Sequence, residues 1–477
     1  MTILPLNPAE NASPESLRAF LAQCRAAAAK AKTPLLVSIS LEVDRLDPLA
    51  VLESIYEPGE LHFYCERPSQ GFAVAGAEAV LSFEARGPQR FAECQRFIDA
   101  TLATTLAVGA IDRPFGGPHF FASFAFFDDV ANGEPFPAAR VFVPRWQVAR
   151  TGDKSVAVAN LVVAPEADLD ALAAKVWKAH AKFHSFDYSA AEFGAYGSGD
   201  WHAPEIVEVG AKGFFAESVR KAVSAIESGA FRKIVLARAK DVTSAAPLHP
   251  LAMLNGLREK FPDCYAFSVA NGRGQSFIGA SPERLLSVEQ GIMRTEALAG
   301  SAPRGRSASE DAAIGSALLR NEKDLHEHRL VFESIERRLL PLGLKLESAD
   351  KPRLLPLANV QHLHTPVRAV LPEGVRLLDV LARLHPTPAV GGTPREAACA
   401  RIRGLEAFDR GLYAGPIGWI DHRGGGEFCV GIRSALADGA TARVFAGVGI
   451  VAGSTPEKEF AETEWKFKAL MDALLHP

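Results

Sequence analysis

Near the carboxyl end, Glu459, Glu462 and Lys466 stand at i, i+3 and i+7, which puts two carboxylates and an amine on one face of a helix. Such a face suits a divalent cation together with an anionic substrate; the same pattern also fits a solvated charged face. Lys233 lies inside an otherwise apolar strand, Arg232-Lys-Ile-Val-Leu-Ala-Arg238. Enclosed there among neighbouring cations, its amine would lose its proton more readily and become available as a base. Glu283 follows Pro282 at the break between two apolar runs, and a carboxyl buried at that point would stay protonated and serve as an acid. Glu322 and His326 share a helix face at i, i+4, so a carboxylate can enter a cavity with an imidazole above it. His326 and His328 are two apart and face different ways, which argues against zinc; an oxygen-only site suits magnesium.

Gly447-Val-Gly449 and Gly453 superficially resemble a dinucleotide fingerprint. A Rossmann unit needs a further parallel strand with an acidic residue ~20 positions on, whereas here one helix follows and the sequence ends at Pro477. Turn geometry, or close approach of backbone to a ligand, is the better reading of these glycines.

The elements that position these groups are legible from periodicity and punctuation. An alanine-rich helix from Pro14 to about Lys32 leads into a strand at Leu35–Leu41, with further strands near His62–Cys65, Gly71–Ala75 and Ala139–Arg150. A helix near Pro165–Phe183 and a Gly/Ser-rich link over residues 193–200 close a first part of about 200 residues, in which no chemistry is concentrated. The second part, 205–477, alternates helices and strands. It predicts a helix at Phe214–Glu227 stopped by Gly229, a strand at Arg232–Lys240, and a strand at Ser276–Ala280 that breaks at Ser281-Pro282 and resumes. A long helix over Glu310–Leu339 follows, then strands at Tyr413–Ile420, Phe428–Leu436 and Ala442–Phe445. Ser454-Thr455-Pro456 opens the last helix, whose apolar stripe is Phe460, Phe467, Leu470, Met471 and Leu474.

Composition narrows the function classes. The chain has 477 residues, 48% hydrophobic and 23% charged, the balance of a globular protein, and its net charge of −4 gives no footprint for nucleic acid. Its six cysteines form no CxxC or metal-ligand spacing, and the first residues lack the apolar run of a signal peptide, so a reducing cytoplasm is expected. No stretch of roughly 18 apolar residues is present to span a bilayer.

Taken in order, the segments from about 205 to 475 resemble the chorismate-utilising enzymes. The resemblance rests on Lys233-Ile-Val-Leu-Ala-Arg238, Ser281-Pro-Glu283, Leu298-Ala-Gly-Ser-Ala-Pro-Arg304, Glu322-Lys-Asp-Leu-His-Glu-His328, His385-Pro-Thr-Pro-Ala389, Gly431-Ile-Arg433, Ala446-Gly-Val-Gly-Ile450 and Glu459/Glu462 with Lys466. It implies an α+β fold: a single large chorismate-binding unit of two stacked, mainly antiparallel sheets flanked by helices, with residues 1–200 as structural sheet. Relatives that make aminodeoxychorismate carry a nucleophilic lysine where this chain has Ala299, and the run ending in Ala389 is similar to isochorismate synthases. A water nucleophile is therefore expected: water attacks C2 of chorismate, the ring double bonds shift and the C4 hydroxyl leaves.

By the same resemblance Lys233 activates the water, Glu283 protonates the leaving hydroxyl and His362 sits near it. Arg433, Tyr413 and Lys466 take the substrate carboxylates, and the Gly300, Ser301 and Gly447 backbone, with Ala389 on the wall, completes the cradle. Glu322, Glu459 and Glu462 hold magnesium, partly through water. Chorismate is the expected partner, with no glutaminase subunit and a monomeric chain. A salicylate synthase, which goes on to eliminate pyruvate, is the first alternative; an anthranilate-type synthase and an inactive ligand-binding relative are others.

Overall fold

Ser13 accepts a hydrogen bond from the Ser16 amide, Pro14 fixes the first turn and Lys32 closes the last in a left-handed conformation; between them runs the first helix, α1 (Pro14–Ala31). The structure is a computed structural model that describes residues 1–4, 13–184, 204–356 and 360–474. The first part contains β1 (Thr2–Ile3), β2 (Leu35–Val43), α2 (Pro48–Ser54), β3 (His62–Arg67), β4 (Phe72–Ala85), α3 (Arg90–Ala103), β5 (Leu106–Gly109), β6 (His119–Phe124), β7 (Ala139–Thr151), β8 (Lys154–Val163) and α4 (Leu169–His184). After it come β9 (Glu205–Glu208), α5 (Phe214–Glu227), β10 (Lys233–Thr243), α6 (Pro250–Lys260), β11 (Tyr265–Ala270), β12 (Gln275–Ser281), β13 (Arg284–Glu289) and β14 (Ile292–Pro303). Next are α7 (Ala308–Leu318), α8 (Glu322–Leu339), β15 (Glu347–Ser348), β16 (Arg353–Pro356), β17 (Val360–Val370), α9 (Leu377–Leu384), β18 (Gly392–Thr393) and α10 (Arg395–Leu405). The chain closes with β19 (Pro416–Asp421), β20 (Gly426–Val430), β21 (Ser434–Asp438), β22 (Thr441–Ile450) and α11 (Pro456–Leu474).

The expected antiparallel sheets are present as two arms of one hydrogen-bonded network. One arm runs β8–β7–β4–β3–β11–β12–β21–β22–β10. The other leaves β7 through β6–β19–β20–β13–β14–β17. Among the described residues, parallel pairing is confined to β5 with β1 and β2. Strands of the two parts pair directly at β3–β11 and β6–β19, and one apolar core takes Phe63 and Phe121 from the first together with Leu236, Phe277 and Phe428 from the second. Among the described residues, no helix is long and apolar enough to cross a membrane.

The chain crosses between the arms at two corners, and these corners make the site. Pro282-Glu283 joins β12 to β13, and Gly431-Ile-Arg433 joins β20 to β21. The corners bond to each other: the Val430 amide donates to the Glu283 carbonyl (3.1 Å) and the Ala280 amide to the Arg433 carbonyl (3.0 Å). The break at Pro282 was expected. The second was not, because Phe428–Leu436 reads as one apolar run; Arg433, at φ 48°, turns it, a conformation that hydrophobic patterning does not report.

Three other expectations change. Strand β22 extends to Ile450, so Gly447 and Gly449 lie inside it, opposite Ala237 and Val235, and form no phosphate loop. The long helix splits into α7 and α8, with the Asn321 side chain accepting from the Asp324 amide as the cap of α8. Tyr413 sits in a turn just before β19. The link at 193–200, and the Leu474 side chain, lie outside the described residues.

Candidate active site

A cavity of about 500 Å³, ample for a substrate of one ring and two carboxylates, opens where β10, β14, β17, β22 and α11 meet the two corners. Lys233, Glu283, Gly300, Ser301, His362, Ala389, Tyr413, Arg433, Gly447, Glu462 and Lys466 all line it. Alternation along β10 turns Lys233 to the same face as Val235, its neighbour on the cavity wall. The side chain is buried, and its Nζ donates to Glu327 Oε1 at 2.6 Å. The group beside this amine is thus a carboxylate rather than the expected cation.

Glu283 occupies the first corner, where Ser281 Oγ accepts from its amide at 3.2 Å. Burial first, then the charge of Glu296, push its carboxyl up to about 8, against a smaller opposing pull from Lys233. A carboxyl of that kind holds its proton near neutrality, as an acid must.

Across the cavity, Gly300 is the extra residue of a bulge in β14: Ala299 faces Leu363 but Ser301 faces His362. Gly300 has φ +79°, which a side chain would strain. The bulge brings Ser301 Oγ to 2.7 Å from His362 Nδ1, while His362 Nε2 has no partner among the described residues. Burial, with the Arg433 and Lys466 charges, lowers His362 to about 3, so the ring is neutral. Arg433, at the second corner, has the Cys264 thiol at 4.0 Å as its polar neighbour, and burial pulls its guanidinium below the ordinary arginine range. A desolvated guanidinium with no carboxylate partner among the described residues is suited to an anionic ligand.

The glycines of β22 permit close packing. A Cβ on Gly447 would stand 2.5 Å from Tyr413 Oη, and one on Gly449 would stand 3.1 Å from Lys233 Cε. Tyr413 also stacks on Phe445 at 5.0 Å between ring centroids.

Helix α11 presents Glu462 and Lys466 to the cavity; Lys466 Nζ donates to Glu462 Oε1 (2.7 Å) and to the Gly447 carbonyl (2.8 Å). Trp465, partly exposed, also lines the cavity. Ser454 Oγ accepts from the Val451 amide at 3.1 Å and bonds the Glu459 carboxyl, tying the preceding turn to the helix.

The expected metal ligands need correction. Glu322 is exposed at the first position of α8 and does not reach the cavity; five residues further round the helix, Glu327 does. Glu459 is buried beside the cavity but is not on its wall. Among the described residues, no three His, Cys, Asp or Glu side chains are grouped as an enclosing metal site. Two carboxylates from two helices, Glu327 and Glu462, do face the cavity, a donor set that suits magnesium with water in its remaining positions. They stand in an acidic cluster. Burial raises Asp324, and the Glu327 and Glu462 charges add to it; burial raises Glu459, and Glu462 adds there too. A hard cation would relieve that repulsion, so the residues present fit the group.

Glu327 was missed in the sequence although it lies inside the His326-Glu-His328 run. The signal was its place one turn before Val331, on the edge of the buried stripe of His328, Val331 and Ile335.

A family model described as "Chorismate binding enzyme" matches residues 19–475. The chain belongs to the chorismate-binding enzyme family. Within the family its likeness is to isochorismate synthases. It is 38% identical over 448 residues to the salicylate biosynthesis isochorismate synthase of Pseudomonas aeruginosa, covering 92% of this chain and 90% of that one. It is 32% identical to the isochorismate synthase MenF of Bacillus subtilis, over 92% and 93% of the two chains. The solved structure of the menaquinone-specific isochorismate synthase MenF of Escherichia coli superposes with a TM-score of 0.76 at 26% identity, covering 94% of this chain and 99% of that one.

Proposed function

We propose that this chorismate-binding enzyme is an isochorismate synthase that adds water to C2 of chorismate and expels the C4 hydroxyl. The observation that carries the reading is the meeting, in one cavity, of a buried amine, a carboxyl held near 8 and a guanidinium with no carboxylate partner among the described residues. Arg433 and Lys466 orient the substrate carboxylates, and Tyr413, held between Phe445 and the Gly447 backbone, shapes the wall beside them. Lys233 is the base that takes a proton from the water as its oxygen bonds to C2. Both ring double bonds shift and the C4–O bond breaks; Glu283 protonates the departing hydroxyl, which leaves as water. One water enters and one leaves, so the net change is an isomerisation. His362 is neutral, with Nε2 available to hydrogen-bond the substrate.

Glu327 and Glu462 would hold magnesium, with Glu459 behind them; bound there, the cation supplies positive charge opposite the substrate carboxylate. On this reading the chain works as a single copy, and water as nucleophile needs no glutaminase subunit. Ala299 lines the cavity and offers no amine for covalent attack. The free cysteines suit the cytoplasm.

Incubating the purified protein with chorismate and magnesium tests the proposal. Isochorismate is expected to accumulate without pyruvate. Stoichiometric salicylate and pyruvate would assign the chain to the salicylate synthases, and ammonia-dependent anthranilate to that branch.

A further inference from the structure

Strand β13 leaves β14 before it reaches the acid. Backbone pairing between them begins only at Ser287 with Arg294, and the pairing of β13 with β20 is itself irregular between Arg284 and Leu286. Two side chains of β14 take over where the ladder stops: Thr295 Oγ1 donates to the Leu285 carbonyl at 2.7 Å, and Glu296 Oε1 accepts from the Arg284 amide at 2.9 Å. The other Glu296 oxygen, Oε2, lies 2.7 Å from His364 Nε2, and both side chains are nearly buried, 12% and 7% exposed. Glu296 is two residues before Leu298, which lines the cavity, so it stands just beyond the cavity wall on the same face of the strand.

We propose that Glu296 is the positioning residue for the Glu283 acid: it fixes the corner through the Arg284 amide and keeps a negative charge beside the Glu283 carboxyl. The inference rests on the isochorismate synthase reading for its meaning in catalysis.

The groups that act on Glu283 are Lys233 from β10, Glu296 from β14 and Cys429 from β20. Those that act on Glu296 are His364 from β17 and Arg284 from β13; the guanidinium of Arg284 is engaged with Tyr265 Oη and Glu427 Oε1, both at 3.0 Å. Lys233 pulls the acid down; burial, and after it the Glu296 charge, oppose that pull.

Glu296→Gln keeps an acceptor for the Arg284 amide and removes the charge. The alkaline limb of kcat/KM is expected to move down by about one pH unit. That is about a fivefold loss at about pH 8 and almost none at about pH 6, with KM little changed. Glu296→Asp keeps the charge on a shorter arm, so kcat falls while the limb stays at its wild-type position. A limb in E296Q that superimposes on wild type, or one that moves equally in E296D, overturns the proposal. The Glu283 carboxyl can also be titrated by infrared difference against Glu283→Gln, without turnover. Wild-type product formation therefore tests the reaction, and the titration tests Glu296 separately. Should E296Q not fold, the infrared titration of Glu296→Ser decides: a lowered Glu283 carboxyl supports the proposal, an unshifted one overturns it.

Discussion

A buried carboxyl that keeps its proton to about 8 makes the folded protein itself sensitive to alkali. Folding raises Glu283 above its ordinary value of 4.5, so the folded state holds a proton that the unfolded chain releases. The stability this group contributes is complete below the unfolded value and disappears as pH rises through about 8. Glu283→Gln, a neutral isostere, is therefore expected to lose less melting temperature than wild type between about pH 6 and about pH 9 in scanning calorimetry. It should at the same time lose about 10²–10⁴-fold in kcat. At this scale the sequence was informative wherever a polar residue interrupts an apolar run. Lys233 and Glu283 stand out in that way, and both are on the cavity wall. Glu322 and Glu327 share one charged stretch, so residue type could not choose between them. The choice lies in where α8 begins and which side it buries.

Among the elements, strand β22 shows how geometry that glycine permits becomes a site. Tyr413 and Lys233 approach its backbone at Gly447 and Gly449 so closely that a methyl group would intrude. Gly447→Ala should push the Tyr413 ring or the strand out of place, at about 1–3 kcal/mol of packing strain. The expected result is at least a ~10-fold loss of kcat/KM in a protein that still melts cooperatively. Unchanged kinetics would show that Tyr413 yields without consequence. Apolar runs and turn residues made most strands and helices readable, including α5 and the break at Pro282. They could not locate the turn at Arg433, because a positive φ in a non-glycine residue leaves no mark on hydrophobic patterning. The Gly300 bulge, which alters register by one residue, was equally invisible.

Over the whole molecule, the walls of the cavity come from distant parts of the chain and are tied together by a buried ion pair. Arg410 and Glu406 are each 1% exposed and 2.6 Å apart. Arg410 donates to the carbonyls of Val235 and Val390, and Glu406 accepts from the Ala237 amide, so one pair joins β10, the Ala389 loop and the turn before Tyr413. Arg410→Met leaves Glu406 buried without its partner and should cost about 3–5 kcal/mol in denaturant unfolding. Arg410→Met with Glu406→Gln should cost less than Arg410→Met alone, since no stranded charge remains. Motif order identified the family from the sequence; the links between the two parts, β3–β11 and β6–β19, pair residues as far apart as Tyr64 with Ser268 and Ala122 with Gly418 and had no local signature.

In the proposed reaction solvent water, activated beside Lys233, enters the ring at C2 while Glu283 releases the C4 oxygen. Turnover of chorismate in oxygen-18 water, stopped within a single turnover and read by mass spectrometry, tests it most directly. The expected product is isochorismate carrying one heavy oxygen, at C2. Isochorismate without solvent oxygen would contradict it.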